Sequence, residues 1–396
     1  MTNMNLDNLT AEELKQKYKD TEDLVNQYYN QEQSVKRILN SIYGAFGNEY
    51  FYFFNINIAE SITLQGQNAI LYTEKMVNLY FTEFWHKDKE LHEKMGIEVK
   101  GPVLKPVVIY IDTDSCYLSF EEALVKSTWK GTEKDFILEI YKNRLNDYIK
   151  KVLQKYADGY VTENFLDFEL ESIAKNAIWL AKKKYIQNIV WADPGNHYDP
   201  LTKIKTKGFE IIQSSTPLFA RKRLNDAIKM ILGKDNVELS EIVQFLKEAK
   251  KEFKIANIED ICFNLKMNNY EKYIVSDVGT FEFASGCPMT LRSAGYYNFL
   301  LNKSKFKNKY QLIGNAEKLK MYETTDKDCN VFAFKAGSYP YEFAPPIDYE
   351  GQFEKCMIEP LNRVLAATGL KTLDRNLIYS TALFWYKIKI KLWQRK

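Results

Sequence analysis

Asp112-Thr113-Asp114-Ser115 lies between two apolar runs, Val107–Ile111 and Cys116–Phe120. Two carboxylates at i and i+2 on a tight turn repel each other. Apolar flanks keep water from relieving both, so one pKa would rise unless a cation sits beside them. Magnesium resolves such a conflict, because it takes oxygen ligands, commonly one or two carboxylates with substrate phosphates and water. A hairpin would hold those oxygens rigidly. Aspartate also forms ordinary exposed turns, but a solvent-facing hairpin alternates polar and apolar residues, and Val107-Val108-Ile109-Tyr110-Ile111 does not.

Two further groups carry chemistry. Lys36, Asn40, Tyr43 and Gly44 recur at i, i+4, i+7 and i+8, which is one face of an α-helix. A cation, an amide, an aromatic ring and a position without a side chain suit a nucleotide: phosphate on the lysine, a base on the ring, close approach at the glycine. The same stripe also describes a solvated face ending in a glycine cap. Lys182-Lys183-Lys184-Tyr185 falls in a strand-like run, where period 2 puts Lys183 and Tyr185 on one face. That pair could grip a nucleic-acid backbone. A lysine cluster guarding an edge strand reads the same way.

The elements that must position these groups are partly legible. Thr10-Ala11-Glu12-Glu13 is a capping box. It opens a helix whose apolar spacing runs to Tyr43, with a break near Asp20, and Gly44 and Gly47 end it. A second helix covers about Ile58–Phe84. Gly101-Pro102 turns the chain into the acidic hairpin, strand–turn–strand. Phe165–Glu171 alternates strictly and predicts a half-buried strand, Lys182–Trp191 predicts another, and Asp193-Pro194-Gly195-Asn196 a turn. Beyond about residue 208 the pattern becomes helical. Ser215-Thr216-Pro217 opens a helix that Gly233 stops, and Leu239, Ile242, Val243, Leu246 and Phe253 share the face of the next. The fold class is α+β, with an antiparallel sheet in the middle and a mainly helical C-terminal part.

Composition narrows the function classes. The 396 residues suggest two or three domains, and 45% apolar with 14% aromatic residues promises a substantial core. A net charge of +3 makes any polyanion site a matter of local clustering. No apolar run reaches membrane-spanning length, and the first twenty residues lack the basic and apolar regions of a secretory signal. Five scattered cysteines and three scattered histidines offer no zinc or disulfide framework. Neither a P-loop nor a dinucleotide-binding glycine motif occurs.

Taken together, the three groups resemble family B DNA polymerases. Lys36–Gly44 looks like their K-x-x-x-N-S-x-Y-G motif, Tyr110–Ser115 like Y-x-D-T-D-S, and Lys182–Tyr185 like K-K-R-Y, with Lys184 where arginine is usual. Gln213–Pro217 and Cys287-Pro288 with Arg292 resemble thumb segments of the replicative polymerases of T-even-like tailed phages. The resemblance implies the second half of the fingers over 1–48, the C-terminal part of an incomplete palm over 49–207, and a thumb with a C-terminal tail over 208–396. It implies DNA-directed synthesis from dNTPs on primer-template DNA in the cytoplasm of a phage-infected host, with two Mg²⁺ ions. Asp114 would bind the metal with Asp112 beside it. Lys36 and Asn40 would face the incoming triphosphate, Tyr43 and Gly44 the nascent base pair, and Lys182–Tyr185 the primer.

The family pattern also has an upstream exonuclease and a D-x-x-S-L-Y-P-S motif with the other metal-binding aspartate. Ser338-Tyr339-Pro340 is a poor substitute, because Lys335 stands where the aspartate should be. The expectation is therefore the C-terminal subunit of a split polymerase, or a fragment of a longer one, whose missing half supplies that aspartate and proofreading. The tail around Leu383, Phe384 and Trp385 resembles a sliding-clamp peptide and equally fits a terminal packing helix. The rival reading is a non-catalytic DNA-binding or assembly subunit of a replication complex.

Overall fold

The computed structural model describes residues 10–193, 204–233, 237–268 and 285–373. The chain forms two compact units, Met1–Glu169 and Leu170–Lys396.

The first unit opens with α1 (Ala11–Gly47), an unbroken helix of 37 residues. Its capping box forms: the Thr10 amide donates to the Glu13 carboxylate at 2.8 Å, and the Glu13 amide donates to the Thr10 hydroxyl at 3.3 Å. Those Thr10 hydrogen bonds, from backbone and then side chain, lower the Glu13 pKa. No break occurs near Asp20, and Gly44 lies inside the helix, which ends at Gly47. The sequence places two glycines near that end, but an interior glycine only weakens a helix. α2 (Ile56–Leu79) is capped by Asn55 and continues through a π-helical turn, Tyr80–Phe84. Then follow α3 (Lys89–Met95), β1 (Val108–Asp112), β2 (Ser115–Leu118), α4 (Glu121–Val125), α5 (Glu133–Ile140) and α6 (Asn146–Asp158).

The core of this unit gathers Phe81, Trp85, Leu91, Phe136 and Ile140 under Val107 and Val108. The hairpin β1–β2 is thus anchored at its base by burial. Polar ties add direction. The Val108 amide donates to Asn78 Oδ1 of α2 at 2.9 Å, and the Leu104 and Lys105 amides donate to Glu122 of α4 at 2.9 and 3.1 Å. Lys126 and those amides hold the Glu122 carboxyl down at about 2. Phe165–Glu171 forms no strand, and Phe165 is 85% exposed. Alternation makes a strand only where a partner offers hydrogen bonds.

The second unit begins with a three-stranded antiparallel sheet, β3 (Ser172–Ala181), β4 (Lys184–Ala192) and β5 (Ile204–Lys207), in that order. Ile178, Ile186 and Phe209 pack against α7 (Leu218–Gly233) and α8 (Leu239–Ile255), whose predicted apolar face is buried from Ile242 to Phe253. After α9 (Ile258–Ile261) come β6 (Phe263–Lys266), α10 (Met289–Lys303), β7 (Lys318–Glu323) and β8 (Val331–Lys335). The last three strands form a second antiparallel sheet over a core of Tyr296, Tyr297, Tyr322 and Phe332. The C-terminal part is therefore helical with a sheet of its own. Its strands are only four to six residues long, too short for their alternation to stand out from the helical pattern around them. α11 (Tyr349–Phe353) and α12 (Glu359–Ala367), joined by a π-helical turn, close the described chain. Among described residues no helix is long and apolar enough to cross a membrane. The tail with Leu383, Phe384 and Trp385 and most of the Asp193–Asn196 turn lie outside the described residues.

Candidate active site and basic turn

The acidic hairpin forms as predicted. Asp112 pairs with Ser115, Ile111 with Cys116 and Tyr110 with Tyr117, leaving a two-residue loop, Thr113-Asp114. Thr113 adopts φ 61°, the left-handed conformation that matches a two-residue turn to the strand twist. The Asp114 amide donates to the Asp112 carbonyl at 2.7 Å and closes the turn. The two carboxylates differ sharply in surroundings. Asp112 is 5% exposed, and its Oδ1 accepts from the Thr113 hydroxyl at 3.2 Å. Asp114 is exposed, and its Oδ1 accepts from the Ser115 hydroxyl at 3.2 Å. One oxygen pair is thus fixed in the hairpin and the other is presented outward.

This donor set is hard oxygen on a rigid turn, the chemistry magnesium prefers. Among the described residues no cluster of three or more aspartate, glutamate, histidine or cysteine side chains forms. Two carboxylates on one turn are oxygen donors that fit magnesium, but they fall short of a full coordination shell by themselves. Burial, with the Glu74 charge, pushes the thiol of the neighbouring Cys116 up to about 11, which favours its neutral form.

Lys36, Asn40, Tyr43 and Gly44 occupy one exposed face of α1, as the spacing predicts. A Cβ at Gly44 would meet nothing within 4 Å. No packing among the described residues demands glycine there, although glycine costs about 0.5–1 kcal/mol in a helix. α1 meets α2, and the acidic hairpin rests on the same α2.

The basic tetrapeptide departs from its expected conformation. Lys182-Lys183 is the two-residue turn between β3 and β4, and Lys183 adopts φ 61°. Lys183 and Tyr185 therefore do not share a strand face. Lys182, Lys183 and Lys184 are exposed around the turn. Tyr185, opposite Trp179 and Lys207, is only 2% exposed, with Lys207 Nζ 5.7 Å from its ring centroid. The turn contains no glycine, asparagine or aspartate, so its sequence carries no turn signal. β3 was equally hidden, since Ser172–Ala181 does not alternate. Lys207, in register with Tyr185, and the adjoining Gly208 also lack a sequence pattern that would single them out. Lys335, at the end of β8, pairs with Glu317 at 2.9 Å, so the Ser338-Tyr339-Pro340 segment supplies no acidic ligand at that position.

The sequence profile of DNA polymerase family B matches residues 9–285. The chain belongs to that family. It is 29% identical over 360 residues to the DNA-directed DNA polymerase of Escherichia phage RB69, covering 85% of this chain and 36% of that protein. The corresponding enzyme of Enterobacteria phage T4 is 24% identical over 362 residues, 85% of this chain and 37% of its own length. The DNA polymerase alpha catalytic subunit of Xenopus laevis is 27% identical over 211 residues, 53% of this chain and 11% of its own length. This family B chain thus spans a little over a third of the phage relatives it matches.

Proposed function

We propose that the chain is the C-terminal part of a DNA polymerase, either a subunit of a split enzyme or a portion of a longer one, adding dNTPs to a primer 3′-OH under template direction. The observation that carries this reading is the acidic hairpin, one carboxylate buried and one presented, in a chain of family B. Residues 1–48 serve as fingers, 49–207 as palm and 208–396 as thumb. Asp112 and Asp114 hold magnesium, which when bound neutralises triphosphate charge and favours the ionised primer hydroxyl. The primer 3′-oxygen forms a bond to the α-phosphorus, the bond from that phosphorus to the bridging oxygen breaks, and pyrophosphate leaves. Lys36 stabilises charge growing on the leaving phosphates, and Asn40 hydrogen-bonds the bound triphosphate. Tyr43 packs on the nascent pair, and Gly44 leaves it room. Lys182, Lys183 and Lys184 contact primer phosphates, with Tyr185 supporting the turn from beneath.

An N-terminal half, in a partner polypeptide or upstream in the same protein, carries the further aspartate and exonuclease and completes the enzyme. The surface of α1 supports this. None of its residues is buried, and Leu14, Tyr18, Leu24, Tyr28 and Leu39 are exposed along it. The following Tyr50 and Tyr52 are 90% and 94% exposed. Apolar surface on this scale marks an interaction site. Primer extension tests the reading. The chain mixed with a polypeptide that bears the missing aspartate should extend a primer, and the chain alone should not. Equal synthesis by the chain alone refutes the split, and no synthesis by the mixture refutes the enzyme.

Gly44→Ala separates function from folding. It should raise stability by about 0.5–1 kcal/mol, because alanine favours an open helix position. It should also lower single-nucleotide incorporation, because the new methyl intrudes on the nascent pair. Thermal unfolding and incorporation kinetics read the two effects. Unchanged incorporation would remove Gly44 from the nucleotide face.

A further inference from the structure

Gly208 follows β5 with φ 66°. A Cβ built there would collide with the main-chain carbonyl of Lys183 and approach Lys184 Cγ to 3.1 Å. The other described glycines with positive φ have open space at that position. Backbone therefore meets backbone where β5 ends against the Lys182-Lys183 turn, and only the missing side chain permits it.

Gly208 is itself held on three sides. Lys207 before it is in register with Tyr185. Phe209 after it is buried in the helical core. The Gly208 carbonyl accepts from Gln213 Nε2 at 3.1 Å. Gly208 cannot yield to a larger neighbour without disturbing the ladder, the core or that hydrogen bond. The turn would have to yield instead, and with it the three exposed lysines.

We propose that Gly208 is a positioning residue for the basic turn: it seats the Lys183 carbonyl against the exit of β5 and so fixes where the lysines meet DNA phosphates. This rests on the reading of the turn as a DNA contact.

The test uses the full chain with Gly208→Asn. Asparagine tolerates a left-handed backbone, so the substitution adds a Cβ with little φ strain. Tryptic cleavage after Lys182 and Lys183 should quicken roughly fivefold, with other sites unaffected; such a local change is read from opening of one segment. Affinity for a primer-template duplex should fall roughly fivefold, and the slope of log affinity against log salt should shrink by about 0.9, the share of one phosphate contact. Lys183→Ala serves as the reference and should lose a similar share of the slope. Parental cleavage and parental salt slope in Gly208→Asn would overturn the inference. A uniform rise in cleavage across the chain would do so too, by showing a merely structural role. If Lys183→Ala itself leaves duplex affinity and slope unchanged, the DNA reading of the turn fails instead, and cleavage alone decides whether Gly208 seats it. Should Gly208→Asn not fold, Gln213→Ala loosens the same loop without a new Cβ. It should quicken cleavage at the turn about twofold, and no change there would overturn the inference.

Discussion

Asp114→Ala, assembled with the N-terminal polypeptide, is expected to lose about a thousandfold in primer extension while keeping its fold and its affinity for duplex DNA. The size follows from removing a charged ligand where transition-state charge gathers, an effect of about two to three orders of magnitude or more. Asp114 suits the test better than Asp112. Its carboxylate is exposed, so its loss should change stability by no more than about 0.5 kcal/mol. Asp112 is buried at the end of β1, and truncating it would remove the acceptor of the Thr113 hydroxyl and open a void, confusing folding with chemistry. Single-turnover extension and thermal unfolding of the same preparation separate the two. Full activity would dismiss the metal assignment and restore the rival, a subunit that binds DNA or organises a complex without catalysis.

The second large effect is expected at Lys36. Lys36→Ala should lower kcat/KM for the incoming dNTP roughly a hundredfold, with duplex affinity unaltered. Lys36→Arg should recover part of the loss, because charge survives while its geometry changes. The lysine lies on an exposed face of α1 that also carries Asn40 and Tyr43, so the lost interaction is with ligand and not with a folded core. Kinetics resolved for dNTP and for primer-template provide the discrimination. Equal losses in both would move Lys36 from the triphosphate to the DNA.

Local chemistry determined much of this protein. The capping box, the long first helix, the Thr113-Asp114 turn between apolar strands and the buried face of α8 all follow from periods and caps within a few residues of sequence. Their hydrogen bonds and steric preferences are settled by near neighbours. The pairing of carboxylates at the hairpin and the common face of Lys36, Asn40, Tyr43 and Gly44 belong to the same class. What tertiary structure alone decided involves partners distant in the chain. Phe165–Glu171 has a strand's alternation yet forms no strand, although the Glu171 carbonyl accepts from the Asp193 amide where β3 begins. β3 lacks alternation, yet it pairs with β4 along almost its whole length. Lys182-Lys183 turns without turn residues because the paired strands, and the backbone of Gly208 packed against it, hold Lys183 in a left-handed conformation. Asp112 and Asp114 read alike in sequence, and only packing of the hairpin on α2 and its core buries one and exposes the other. Burial and strand pairing depend on what lies across the fold, and composition along the chain does not encode that at any single position.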